Sequence, residues 1–233
     1  MPDGTRTTRA RAAAKPAATA ATTTEKIETV IIAPPRMHVL PIEIIGTAPL
    51  VLCKFSVKAR AAIRAKQEAG TQQAKRTTNR VGRDFDDIFE GARHRSDDGW
   101  DGIPAAAFRA GAISACRLAN FKMTIAKLSV FIEADGYDDD DGAPLVRIIG
   151  GAPLVHETAG RNADGGFDVR VRPMWREWGA QLRIRFDRDQ FSPTDIVNLV
   201  ARIGEQVGIG EGRADSRNSA GQGWGSFRIK EMS

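Results

Sequence analysis

Apolar positions in this chain of 233 residues fall into short runs that switch between the two-residue period of strands and the 3.6-residue period of helices. The best strand pattern is Gln181-Leu-Arg-Ile-Arg-Phe186, which turns Leu182, Ile184 and Phe186 inward and Arg183 and Arg185 outward. Residues 38–45 are rich in β-formers, with Pro41 favouring a sheet edge or a strand start. A second apolar run covers residues 50–55. Further strands are expected at residues 124–133, 144–155, 167–172 running on towards Trp175, and 226–230. Helical spacing joins Ala105, Phe108, Ala112, Ala115 and Ala119 behind Pro104. The clearest helix follows Ser192-Pro193-Thr-Asp195, where an N-cap, a proline at the first position and an acid in the first turn precede Ile196, Leu199, Val200, Ile203 and Val207. Gly208 should end it.

Residues 58–100 break this rhythm. They are polar and almost without apolar period, with weak helical character at 59–68, and a segment of that length inside a domain is usually functional or disordered. With that insertion set aside, the order is strand, helix, two or more strands, helix, strand. That is the α+β, ferredoxin-like (RRM-like) split βαβ plan, here with a long basic insertion at about residues 57–101 and a C-terminal glycine-rich loop. The domain is expected over residues 37–233. Residues 1–36 read as a basic tail rich in Ala and Thr, whose lack of large apolar side chains predicts disorder.

Composition narrows the chemistry. An apolar content of 42% and a charged content of 27% are ordinary for a globular protein, and no run approaches the length needed to span a bilayer. Cys53 and Cys116 lie far apart and His38, His94 and His156 are scattered, so neither a disulfide framework, a zinc site, another metal centre nor a cofactor is expected. His94, beside Asp97 and Asp98, reads as a solvated histidine rather than an acid–base group. The net charge of +5 is uneven: residues 54–83 carry nine bases, Lys54, Lys58, Arg60, Arg64, Lys66, Lys75, Arg76, Arg80 and Arg83, against Glu68 alone. Residues 84–101 reverse the sign with Asp84, Asp86, Asp87, Glu90, Asp97, Asp98 and Asp101, and residues 138–141 form a second acidic run. Both acidic runs are expected to be solvated loops. The basic block invites a polyanion.

Three landmarks resemble, in order, the RAMP superfamily of CRISPR-associated proteins, particularly the subunits that polymerise along a guide RNA. Gly46-Thr-Ala-Pro49-Leu50 is similar to the turn after the family's first strand. Ile103-Pro104-Ala-Ala-Ala-Phe108-Arg109 is similar to its first helix start, although Ala106 and Ala107 stand where the family has serines. Gly208-Ile-Gly210 and Gly223-Trp-Gly225-Ser-Phe227 sit where the family keeps a glycine-rich loop. The closing glycine segment is also similar to the ends of proteins encoded in phages and prophages.

The resemblance implies a protein of the bacterial or phage-infected cytoplasm that binds single-stranded RNA, or DNA, through charge and shape and multimerises head to tail, with other effector subunits as further partners. On this view the basic insertion is a finger over the strand, Arg109 and Arg213 meet phosphates, Gly208 and Gly210 permit close backbone approach, and Trp224 stacks a base. Two alternatives stay open. One is a metal-dependent endoribonuclease using Asp84, Asp86 and Asp87. The other is a phage structural or assembly protein whose charge blocks join subunits.

Overall fold

The alternation at residues 181–186 folds as expected, with Leu182 and Phe186 wholly buried and Ile184 2% exposed. A computed structural model describes residues 32–68, 82–161, 166–216 and 221–231. The disorder expected of the tail therefore falls almost entirely outside the described residues, as do Lys75, Arg76, Arg80 and the side chain of Lys66. In chain order, β1 (Met37–Gly46) and β2 (Leu50–Val51) precede α1 (Val57–Glu68), α2 (Phe85–Gly91), β3 (Gly102–Pro104), α3 (Ala105–Leu118) and α4 (Met123–Ser129). Then come β4 (Val130–Glu133), β5 (Gly136–Tyr137), β6 (Pro144–Arg147), β7 (Ile149–Gly150), β8 (Leu154–Arg161), β9 (Phe167–Trp175) and β10 (Trp178–Asp187). The last elements are α5 (Pro193–Arg202), a π-helical turn (Ile203–Val207) and β11 (Phe227–Ile229).

The protein is a mixed α/β structure with antiparallel sheets. Its main sheet has the order β11-β1-β10-β4, with β7 also paired to β10. β1 and β10 align over nine residue pairs, from Met37 opposite Asp187 to Ile45 opposite Gly179. α3 connects β1 to β4 across the intervening β10, and α5 connects β10 to β11. Both helices bury one face in the same core as the inward side chains of β1 and β10: Phe108, Ala112 and Ala115 from α3, and Ile196, Leu199 and Val200 from α5. Burying each of the larger side chains is worth about 1.5–3 kcal/mol. Gly111 lets α3 approach the π-helical turn, since a Cβ there would stand 2.8 Å from Ile203 Cγ2. Two small sheets, β2-β9-β8 and β3-β6-β5, are built beside this layer.

Local chemistry explains several boundaries. Ser192 and Asp195 form a reciprocal capping box: the Asp195 N–H donates to Ser192 Oγ (3.2 Å), and the Ser192 N–H donates to Asp195 Oδ2 (2.9 Å). Gly208, at φ +71°, stops the π-helical turn as expected. Pro41 lies in β1, a strand with neighbours on both sides, yet β11 covers only Ile44–Gly46. The Lys230 N–H donates to the Glu43 carbonyl, so the alternate residue Pro41 turns its missing N–H to the uncovered half of that edge.

Several expectations are corrected. Residues 124–133 are not one strand: α4 comes first, because a helix lets the small Ala126 and Ser129 bury against the core and α3. Residues 144–155 split into β6, β7 and the start of β8, broken at Ile148 and at Gly151-Ala152-Pro153. Only Leu50–Val51 of the run 50–55 pairs as a strand. Within the insertion, α2 forms where no helix was expected, because Asp84 Oδ1 accepts the N–H groups of Asp86 (3.0 Å) and Asp87 (3.1 Å). Among the described residues no helix is long and apolar enough to cross a membrane.

Candidate functional site

The bases of residues 54–83 whose side chains are described all meet carboxylates within the chain. Lys54 is only 5% exposed, and its ammonium donates to Asp138 Oδ1 and Asp140 Oδ2, both at 2.5 Å, with Asp139 at 3.5 Å. Burial alone would lower its pKa, but the hydrogen bonds to Asp138 and Asp140 carry it above the ordinary lysine value. Lys58 pairs with Asp87 (2.7 Å), Arg60 faces Asp141 (3.8 Å), Arg64 pairs with Glu68 (2.7 Å), and Arg83 grips Asp168 on β9. Lys54 is thus a buried counter-ion, and the acidic run 138–141 is not simply a solvated loop: Asp138 is 2% exposed.

Asp138 is fully engaged. Oδ1 accepts from Lys54 and from the Asp140 N–H (3.0 Å), and Oδ2 lies 3.1 Å from His94 Nδ1. Burial opposes its charge, but the donors from Lys54, the Asp140 backbone and His94 hold the carboxyl below its usual range. An ionised carboxylate can only accept, so His94 Nδ1 carries the hydrogen. Burial pushes the His94 imidazole below the ordinary histidine pKa, against the pull of Asp138. His94 is therefore not the solvated residue expected beside Asp97 and Asp98.

The acids considered for metal chemistry have structural positions. Asp84 caps α2, Asp87 holds Lys58, and Asp86 sits in the first turn of α2. Among the described residues, the acids close enough together to share an ion are Asp138, Asp139 and Asp140, and the Lys54 ammonium already faces all three. Arg109 donates to the carbonyls of Lys127 (2.5 Å) and Val130 (3.4 Å) and lies over the Phe131 ring, so it ties α3 to the α4–β4 joint.

The glycine-rich loop is sewn into the chain by its own backbone. Gly225 N–H donates to Pro49 O (2.7 Å), Glu211 N–H to Val51 O (2.8 Å), Thr47 N–H to Ser226 O (2.9 Å) and Ile209 N–H to Gly225 O (3.1 Å). A Cβ on Gly210 would stand 2.4 Å from Val51 O, which is why that position takes glycine. The loop, residues Leu52 and Cys53 after β2 and the start of α3 line a cleft of 360 Å³, and the turn at residues 46–50 braces the loop from behind through these hydrogen bonds.

Small side chains on α3, Ala107, Ala110 and Gly111, open one wall of the cleft; Cys53 and His94 form another, and Glu211, Arg213 and Asp215 of the loop a third. Arg213 donates to Gly210 O at 3.0 Å. Trp224 is half-buried and packs edge to face on His156, with ring centroids 5.1 Å apart. A Cβ on Gly208 would stand 2.9 Å from Trp224 O, so glycine lets these two backbones approach. Desolvation by its surroundings raises the Cys53 thiol pKa, so it is no activated nucleophile.

Sequence reading missed Arg170 and Arg172. Both act electrostatically on the Cys53 thiol, and Arg172 binds Glu211 at 2.7 Å. Their signal was present, since two-residue alternation in β9 sets Asp168, Arg170 and Arg172 on one face. His156 lies opposite Arg172 in β8. Arg213 in the cleft wall and Arg172, bound to the lining residue Glu211 and opposite His156 of the Trp224 pair, are groups of the kind that hold phosphates and flank bases. No protein-family model matches the chain, and no curated protein matches it.

Proposed function

We propose that this protein binds single-stranded nucleic acid in the glycine-loop cleft, with RNA the first candidate, and multimerises along the strand as a ferredoxin-like relative of the RAMP superfamily. The fold part of this reading is supported by the order β11-β1-β10-β4, in which α3 and α5 are the two crossovers of a split βαβ pair. The observation that carries the function is convergence: the turn at 46–50, the start of α3 and the glycine loop, far apart in sequence, line or brace one cleft with Arg172 and Arg213 at its rim. RNA comes before DNA because the resembling subunits polymerise on guide RNA.

The contact set differs from the one read off the sequence. Arg213 lines the cleft and Arg172 reaches its wall through Glu211, whereas Lys54, Lys58, Arg60, Arg64, Arg83 and Arg109 are bound away from it, the first five to carboxylates and Arg109 to backbone carbonyls. The placement of Asp84, Asp86 and Asp87 lends no support to a metal-dependent nuclease.

Fluorescence anisotropy of labelled single-stranded RNA across a salt series tests the reading. Log affinity should fall against log salt with a slope of about −0.7 per neutralised phosphate, and Arg172→Ala and Arg213→Ala should each reduce the slope by about 0.7. Absence of binding at low salt, or a slope unmoved by both substitutions, sinks it.

A further inference from the structure

Residues 102–132 contain Arg109, Arg117, Lys122 and Lys127 and no acid. Arg109 is held by carbonyls, but Arg117, Lys122 and Lys127 are exposed and have no carboxylate within ion-pair distance among the described residues. They share the α3–α4 hairpin with exposed apolar side chains: Leu118 is 54% exposed, Met123 39% and Leu128 78%. Cations mixed with solvent-exposed leucine suit an acidic protein surface better than bare solvent.

That acidic surface exists on the same molecule. The turn carrying Asp97 and Asp98 is joined to residues 137–139 by the Asp97 N–H to Tyr137 O and the Asp139 N–H to Arg95 O hydrogen bonds. With Asp138 buried against Lys54 and His94, the exposed acids here are Asp97, Asp98, Asp139, Asp140 and Asp141, and beyond the Lys54–Asp138 pair only Arg60 is within ion-pair distance of them among the described residues, which leaves this surface four charges negative. Tyr137 stands on it 59% exposed. The two surfaces lie at opposite ends of α3. β3 leads directly into α3 and pairs with β6, whose other neighbour β5 runs into Asp138, so the acids flank the helix start. The cations flank its end, 14 residues later, or about 20 Å along the helix axis.

We infer that a second copy of this chain docks its Asp97–Asp98 and Asp139–Asp141 surface onto the α3–α4 hairpin, an open head-to-tail contact that repeats from copy to copy. Charge complementarity selects the copy as occupant, because each molecule carries both halves of the interface. Leu118, Met123 and Leu128 supply the apolar contact, with Tyr137 facing them. The inference names the surfaces of the multimer proposed above, but the contact is between proteins and needs no strand.

Sedimentation velocity of the full-length, nuclease-treated protein tests it, with two charge reversals that avoid the cleft: Lys122→Glu/Lys127→Glu and Asp97→Lys/Asp98→Lys. Wild-type protein should form species larger than a dimer at ~50 mM salt and dissociate at ~500 mM. Each reversed protein alone should sediment as a single chain, and an equimolar mixture of the two should assemble again, because each then offers the charge the other lacks. Recovery in the mixture also shows that both variants are folded. A wild-type monomer at both salts, or assembly untouched by either reversal, overturns the inference. Assembly without RNA binding removes the cleft reading and leaves this contact standing; RNA binding by an unvarying monomer does the reverse.

Discussion

Residues 54–83 hold nine bases against one acid and residues 102–132 hold four against none, yet among the described side chains it is the sparser segment that keeps unpaired cations. In the first, Lys54, Lys58, Arg60, Arg64 and Arg83 each meet a carboxylate, and all but Arg64 reach one outside the segment. In the second, Arg117, Lys122 and Lys127 meet none among the described residues. A charge paired at contact distance has little field beyond a Debye length of about 8 Å, whereas an unpaired one acts on anything that approaches. Charge density along a chain therefore ranks segments by composition, and folding re-ranks them by pairing.

The sharpest way to break this comparison is to remove the buried counter-ion. Lys54→Met should lower the unfolding free energy by about 3–5 kcal/mol, because Asp138 would stay buried without its cation. Urea denaturation reads it, and a loss below about 1 kcal/mol would mean that Lys54 is not the counter-ion its burial suggests.

Acid should do the same more gently. His94 has its folded pKa below the ordinary 6.5, so the unfolded chain takes up the proton first and stability falls as pH drops through that value. Asp138, held below 3.8, contributes stability above that pH and loses it as pH falls through its folded value. Lys54, raised above 10.5, contributes below that pH and loses its share in stronger base. The cluster should stabilise most between about pH 6.5 and 10.5, and His94→Gln should flatten the decline between pH 7 and 5. Thermal melts across that range measure it.

The smallest effects sharpen the contrast. Lys58→Ala and Arg64→Ala remove exposed pairs and should change stability by no more than about 0.5 kcal/mol. Lys127→Ala should be equally silent in thermal melts, since its side chain touches no carboxylate among the described residues, yet it should weaken the low-salt assembly that Lys58→Ala leaves intact.

Much of the frame was legible from local rules. The capping box at Ser192, the alternation in β10 and the small-residue stripe of α3 each depend on neighbours in sequence, and each formed where the pattern put it. α4 was not legible, because Thr124-Ile125-Ala126-Lys127-Leu128 has no period that separates a helix from a strand, and packing of Ala126 decided. The cleft was half legible. Its glycines and Arg213 stood out, whereas Arg170 and Arg172 passed as ordinary strand residues until β9 brought them beside Cys53.

By itself the sequence determined the order of the main strands and helices, the glycine positions that close the loop, and the amount of charge in each segment, because spacing, φ preference and side-chain ionisation are local properties. Only the tertiary structure decided which charges cancel. Lys54 and Asp138 are 84 residues apart, and whether two such groups neutralise each other or face solvent depends on distance and burial, which linear order does not encode.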